Sequence, residues 1–265
     1  SMKSHLRLFT AIILLSGLVL SACAANTPTS SAEARDTLYQ ASTLNSLMAG
    51  NYDGVEPASE MLKHGDLGLG TFDKLDGEMI VLDGKVYQAK ADGKVATPQS
   101  SIELPFLAVT YFDADINQET GAIESLDALK ALLDQLIVKK DRFYAIRIDG
   151  TFETVEVRSV PAQEKPYPIL SEVTKNQAVF DYQNVKGTRV GFWCPDYVGG
   201  VNAPGYHLHF ISDDRSMGGH LLAVKISSAT IKLDETASFE MELGDNNVQG
   251  GNITDIQSEI EKVEK

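Results

Sequence analysis

The sequence predicts an α+β chain, mostly β, with mixed or antiparallel sheets in two subdomains and few helices. Three observations carry this expectation. Short runs rich in branched and aromatic residues recur between Gly and Asp turns. These runs follow one another instead of alternating with helical segments, which argues against βαβ units. Only residues 124–137 hold a sustained helical period. With 265 residues and 43% hydrophobic content, the chain is long enough to bury an ordinary core.

Ser1 before Met2 reads as an added residue, and Lys3 to Arg7 as a basic start. The apolar run LFTAIILLSGLVL is short for a membrane span and has the flanks of a signal peptide. It ends in LSAC, which resembles a bacterial lipobox with Cys23 as the lipidated residue; ordinary cleavage near ACAA is the alternative. Residues 1–23 are therefore expected to be a tag residue plus lipoprotein signal peptide, and 24–35 a flexible linker. The chain is expected to be exported, on the extracellular or periplasmic face, lipid-anchored to the cell membrane. Cys194 is then left without an intrachain partner, and WCPD reads as a buried thiol.

Residues 36–49 predict a short helix that packs Leu38, Leu44 and Leu47, with Asp36 as its cap and Gly50 as its stop. From 64 to 113 the runs are β-like, and LDGK at 82–85 is a strong hairpin signal, because Asp-Gly tolerates the positive φ of a type I′ turn. Residues 124–137 place Leu126, Leu129, Leu133 and Leu136 on one helical face. Two strands, 143–152 and 153–160, are expected to join near Asp149-Gly150. The proline cluster PAQEKPYP at 161–168 is the best boundary, giving an N-terminal β-rich domain (36–168) and a C-terminal metal-binding β domain with an acidic tail (169–265). Beyond it, residues 178–200 read as two strands about a Lys186-Gly187 turn. The segments HLLAVKISSATIKL and ASFEMEL and a helix-like tail follow.

Net charge of −14 argues against nucleic acid as a partner, since phosphate binding needs a basic surface. The histidines are more informative. Of five in the chain, His207, His209 and His220 fall within one predicted hairpin. Residues two apart on a strand share a face, so His207 and His209 project together, with Leu208 and Phe210 opposite. Side chains directly across an antiparallel pair lie ~5 Å apart at Cβ, so His220 can join them. Three imidazoles with an open position suit a catalytic zinc, and also copper, nickel or iron.

The hairpin GYHLHFISDDRSMGGHLL resembles the metal-binding segment of bacterial α-acetolactate decarboxylases. HGDLGLGTFDKLDGEMIVLDGKVYQ resembles their N-terminal signature, and FYAIRIDGTFETVEVRSVPAQEKPYP and FWCPDYVGGVNAPGYH extend the likeness over most of residues 36–265. The resemblance implies a zinc enzyme that converts 2-acetolactate into acetoin and CO2. It implies His207, His209 and His220 as Zn2+ ligands, Glu78 and Arg158 as active-site residues, and Thr71 as a substrate-binding residue. A second family glutamate falls on Glu264, with Glu261 as the other candidate. A homodimer paired through the N-terminal sheets is also implied.

The chemistry has uses for these residues. Loss of CO2 leaves an electron pair that only the neighbouring carbonyl can take up, as an enediolate; a metal chelating the carbonyl and hydroxyl oxygens stabilises that charge. A guanidinium holds the carboxylate before it leaves, with Arg158 the candidate and Arg147 the control. A fixed acid must then protonate the enediolate, and Glu78 or the tail glutamate is placed to do so. Two alternatives stand beside this reading. One is a cupin-like metal oxygenase or isomerase, for which Asp213 and Asp214 are the nearest acids. The other is a non-catalytic surface metal-binding lipoprotein.

Overall fold

The computed structural model describes residues 35–244 and 256–264. Cys23, the expected signal peptide and all but the last residue of the expected linker lie outside them. The strands are β1 (Thr37–Ala41), β2 (Glu56–Pro57), β3 (Leu67–Thr71), β4 (Glu78–Leu82), β5 (Lys85–Ala89), β6 (Val95–Ala96), β7 (Glu103–Leu104), β8 (Leu107–Thr110), β9 (Ile116–Thr120), β10 (Phe143–Ser159), β11 (Ala178–Cys194), β12 (Gly205–Ser212), β13 (Gly218–Thr236) and β14 (Ser238–Glu242). The helices are α1 (Leu44–Met48), α2 (Ala58–Met61), α3 (Leu126–Leu136), α4 (Leu170–Val173) and α5 (Ile256–Val263). The fold is α+β and dominated by strands, as the sequence predicts.

Seven strands form one mixed sheet in the order β14-β1-β8-β3-β4-β5-β6, with β14 parallel to β1. The second sheet runs β10-β11-β12-β13-β9, and an additional β10–β13 pairing closes it into a small barrel. The ladder between β12 and β13 is only three residue pairs long, His209 to His220, Phe210 to Gly219 and Ile211 to Gly218. The barrel interior holds Ile146, Ile148, Phe152, Val155, Val157, Leu208, Phe210 and Ile231. Its outer face packs Val190, Phe192 and Ile211 against Leu67, Leu69, Ile80 and Leu82 of the seven-stranded sheet. Burying apolar area between the layers stabilises by ~25 cal/mol per Å² and fixes which face each strand presents.

Three local expectations are corrected. Residues 37–41 are a strand, and the helix begins only at Leu44, capped by Thr43, whose hydroxyl accepts from the Ser46 N–H at 3.1 Å. Leu38 and Tyr39 are buried in different clusters, on opposite faces of the sheet, so this stretch needs the two-residue period of a strand. The Asp149-Gly150 and Lys186-Gly187 pairs are not turns but mid-strand positions of β10 and β11, which run unbroken and pair Gly150 with Gly187. Glycine is needed there for close approach: a Cβ on Gly150 would lie 2.4 Å from the Ser228 carbonyl oxygen, and one on Gly187 2.5 Å from that of Ile211. By contrast Asp83 and Gly84 do form the hairpin turn between β4 and β5, with φ of 52° and 73°.

Sheet membership does not change at residue 168. Strand β10, before the proline cluster, is central to the barrel, and β14, near the chain's end, returns to the first sheet. Helix α3 forms as the leucine spacing predicts, with Ser125 capping Ala128 at 3.1 Å and Leu129 and Leu133 buried against the barrel. Cys194 is buried and free, and burial pushes its thiol well up, so it is an inert core residue.

Candidate active site and metal centre

The two-residue alternation of the strands decides what reaches the site. His207, His209 and Ile211 share the outer face of the barrel, and Leu208 and Phe210 fill its interior. Thr71 follows Leu67 and Leu69 on the inward face of β3, and Glu78 precedes Ile80 and Leu82 on that of β4. The four polar groups, His207, His209, Thr71 and Glu78, therefore meet between the two layers. His220 is paired with Arg158 across β13 and β10. A register shift between Glu156 and Val157, just before Arg158, breaks the regular alternation beside the site, the sort of bulge that re-aims side chains.

The three imidazoles each present a nitrogen within 4.8 Å of the other two. Their ring centroids lie 5.0, 5.0 and 5.4 Å apart. His207 Nε2 and His209 Nε2 are separated by 3.2 Å. Two nitrogens bound ~2.0–2.1 Å from one tetrahedral ion lie about 3.3 Å apart, so the spacing fits a shared zinc. His209 Nδ1 is 2.8 Å from the Met79 carbonyl oxygen, a partner that only an N–H can satisfy, which leaves the Nε2 lone pair facing the cluster. Burial pushes all three histidines below their ordinary range, with Arg158 adding to the effect: His207 to about 3, and His209 and His220 well down. Neutral imidazoles are the ligating form, so the residues present fit a divalent metal.

Two carboxyls and a guanidinium border the rings. Glu78 Oε2 is 3.5 Å from His209 Nε2, and Glu264 Oε2 is 3.6 Å from His220 Nε2. Burial raises both carboxyls to about 7, against the pull of Arg158. Arg158 is buried; its Nε stands 3.9 Å from Glu78 Oε1, beyond hydrogen-bond reach, and has no hydrogen-bond partner among the described residues. Its Nη1 donates to Gln177 Oε1 at 3.4 Å. A buried guanidinium N–H without a hydrogen-bond partner is costly unless a ligand supplies one.

The sequence-level candidates are placed as follows. His207, His209, His220, Glu78, Arg158, Thr71 and Glu264 all line one cavity. Glu261 is exposed and accepts from Gln257 instead. Thr71 donates its hydroxyl proton to the Gly77 carbonyl at 2.7 Å, which leaves its hydroxyl oxygen available to a substrate as an acceptor. Arg147 is engaged by Asp83 and Asp149 and does not line the cavity. Asp213 and Asp214, which the cupin-like reading would use, sit exposed in the β12–β13 turn, where Asp214 accepts from Ser212 and Ser216. Sequence reasoning missed Gln177 and the apolar side of the cavity, formed by Leu44, Leu47, Leu170 and Val263 among others. No local motif marks those residues; their helical or loop settings bring them together only in the fold.

The family profile for alpha-acetolactate decarboxylase matches residues 38–249. The chain belongs to the alpha-acetolactate decarboxylase family. A relative from Methanosarcina mazei bearing that name is 47% identical over 243 residues, covering 90% of this chain and 83% of its own length. One from Brevibacillus brevis is 36% identical over 256 residues, covering 91% and 90%. The crystal structure of the Bacillus subtilis strain 168 alpha-acetolactate decarboxylase superposes with a TM-score of 0.83 at 38% identity, covering 86% of this chain and 99% of that one. Membership makes the protein a carboxy-lyase, and the fold matches that of the acetolactate decarboxylases.

Proposed function

We propose that the protein decarboxylates 2-acetolactate to acetoin and CO2 with a zinc ion held by His207, His209 and His220. The observation that carries this reading is the convergence of three imidazole nitrogens, two of them from buried histidines and one from a half-buried one, beside two carboxyls and a buried arginine whose Nε lacks a hydrogen-bond partner among the described residues. When bound, the metal would supply Lewis-acid stabilisation of negative charge developing on the substrate's oxygens.

The protein's own groups do the rest. Arg158, whose buried Nε–H has no hydrogen-bond partner among the described residues, holds the substrate carboxylate and fixes the bond to be broken in one orientation. As that bond breaks, CO2 leaves and the electron pair passes from C2 into the neighbouring carbonyl. Glu78 and Glu264, both raised to about 7, can hold a proton near neutral pH, and one of them delivers it to C2 to give acetoin. The apolar side of the cavity excludes water while the charge exists. The decisive experiment is chelation: EDTA treatment should abolish acetoin formation and zinc should restore it. Full activity in a rigorously metal-free sample would defeat the mechanism.

Three further features belong to this proposal on sequence grounds. LSAC supports export and a lipid anchor at Cys23, which mass spectrometry of the mature chain would detect as a lipidated N-terminal cysteine. The family resemblance supports a homodimer, which sedimentation would test.

A further inference from the structure

The cavity has two unlike walls. Its polar wall comes from long strands: Glu78 on β4, Arg158 on β10, His207 and His209 on β12 and His220 on β13. Its apolar wall comes largely from three short helices: Leu44 and Leu47 on α1, Leu170 on α4 and Val263 on α5. These four belong to one buried cluster, in which α4 touches both α1 and α5.

Any acid of the proposed kind also has two sides. Its carboxylate, carbonyl and hydroxyl fall to the polar wall, and its alkyl substituents must turn toward the helices. The first of those helices is not free to yield. Thr43 caps α1, and the Leu44 and Asn45 N–H groups donate to the Val201 and Gly200 carbonyls. Val201 is held in turn by Gln40 Nε2 at 2.6 Å, and Gln40 Oε1 accepts from the buried Asn202 at 2.7 Å. A buried amide pair thus pins α1 to the loop that feeds the histidine strand. Leu47 and Leu170 are each only 6% exposed. Close-packed side chains fixed from behind accommodate an added methylene poorly.

We propose that Leu47 and Leu170 set the upper size of the alkyl group on C2 of the substrate, selecting methyl over longer chains. The inference rests on the function proposed above and assigns these residues as specificity determinants. One methylene in an apolar pocket is worth about 10–200-fold in kcat/KM.

The test compares kcat/KM of the zinc-loaded full chain on 2-acetolactate and on its homologue with ethyl in place of the C2 methyl. Wild type should favour the methyl acid by about 10-fold or more. Leu47→Ala and Leu170→Ala should each move the ratio toward the ethyl acid by about 10-fold. The milder Leu47→Val and Leu170→Val, which perturb folding less, should move it in the same direction. The ratio is taken on one sample, so partial unfolding or metal loss cancels from it. Turnover of 2-acetolactate with a ratio that all four variants leave unchanged would overturn this inference alone. No turnover of either acid by wild type would remove the proposed function, and this inference with it.

Discussion

Strand β13 carries His220 two residues after its first residue and Asp234 two residues before its last. Both side chains are buried, at 2% and 1% exposure. Burial shifts both pKa values, His220 downward and Asp234 upward to about 7. Around His220 stand two more imidazoles, a carboxyl and an arginine. Around Asp234 the charges that raise it are those of Asp115, Asp36 and Asp113. One Asp234 oxygen accepts the Asp113 N–H at 3.0 Å, and the other has no hydrogen-bond partner among the described residues. A perturbed ionisable group is thus a poor marker of a site by itself; convergence of complementary groups on one point is the better one.

Substitutions at the two ends should separate these cases. At the histidine end, His220→Ala should lower kcat/KM by about 10³-fold or more and remove bound zinc, read by steady-state assay and elemental analysis. Normal activity without zinc would erase the distinction between the ends. Glu264→Gln should lower kcat by about 10²-fold, with Glu261→Gln near wild type, because only Glu264 faces His220. Arg158→Lys should cost about 10-fold in kcat/KM, since an ammonium does not reproduce a planar fork, and Arg147→Lys should be silent.

The far end should show the smallest effect on turnover and a different kind of effect on stability. Burial, and then the neighbouring acids, raise Asp234 from 3.8 to about 7, so the native state holds this proton more tightly than the unfolded chain does. That contribution is full below about 4 and is lost as pH rises toward about 7. Asp234→Asn should therefore raise the Tm at pH 8, by an amount worth on the order of 1–4 kcal/mol. The gain should vanish near pH 4, with activity unchanged. A gain at pH 4 equal to that at pH 8, followed by thermal scans, would show that Asp234 is already charged in the native state.

How far the sequence discloses these regions follows from the range of its signals. The histidine face was legible because strand alternation is a local rule and β12 obeys it. Helix α3 and the Asp83-Gly84 turn were legible for the same reason. The long strands were misread at Gly150 and Gly187, because glycine marks a turn and a close crossing of backbones alike, and only the neighbouring strand distinguishes them. Residues 37–41 were misread because Leu38, Leu44 and Leu47 mimic a helical spacing. Glu264 against Glu261 depended on how α5 docks, and the apolar wall on how α1 and α4 meet it; neither leaves a periodic trace. The isolated Asp234 leaves no mark at sequence level, since nothing in LDET signals that it is buried.

The brevity of the β12–β13 ladder bears on which insertions and deletions the protein tolerates. With three rungs to hold it, that seam resists slippage mainly through what each face touches. Adding one amino acid between His207 and His209 would turn one of the two into the hydrocarbon interior, whereas adding two would restore parity. A scan of single and double insertions between these two histidines should therefore alternate between loss of activity and partial recovery, and relatives that differ in loop length should keep the interval between the corresponding histidines even.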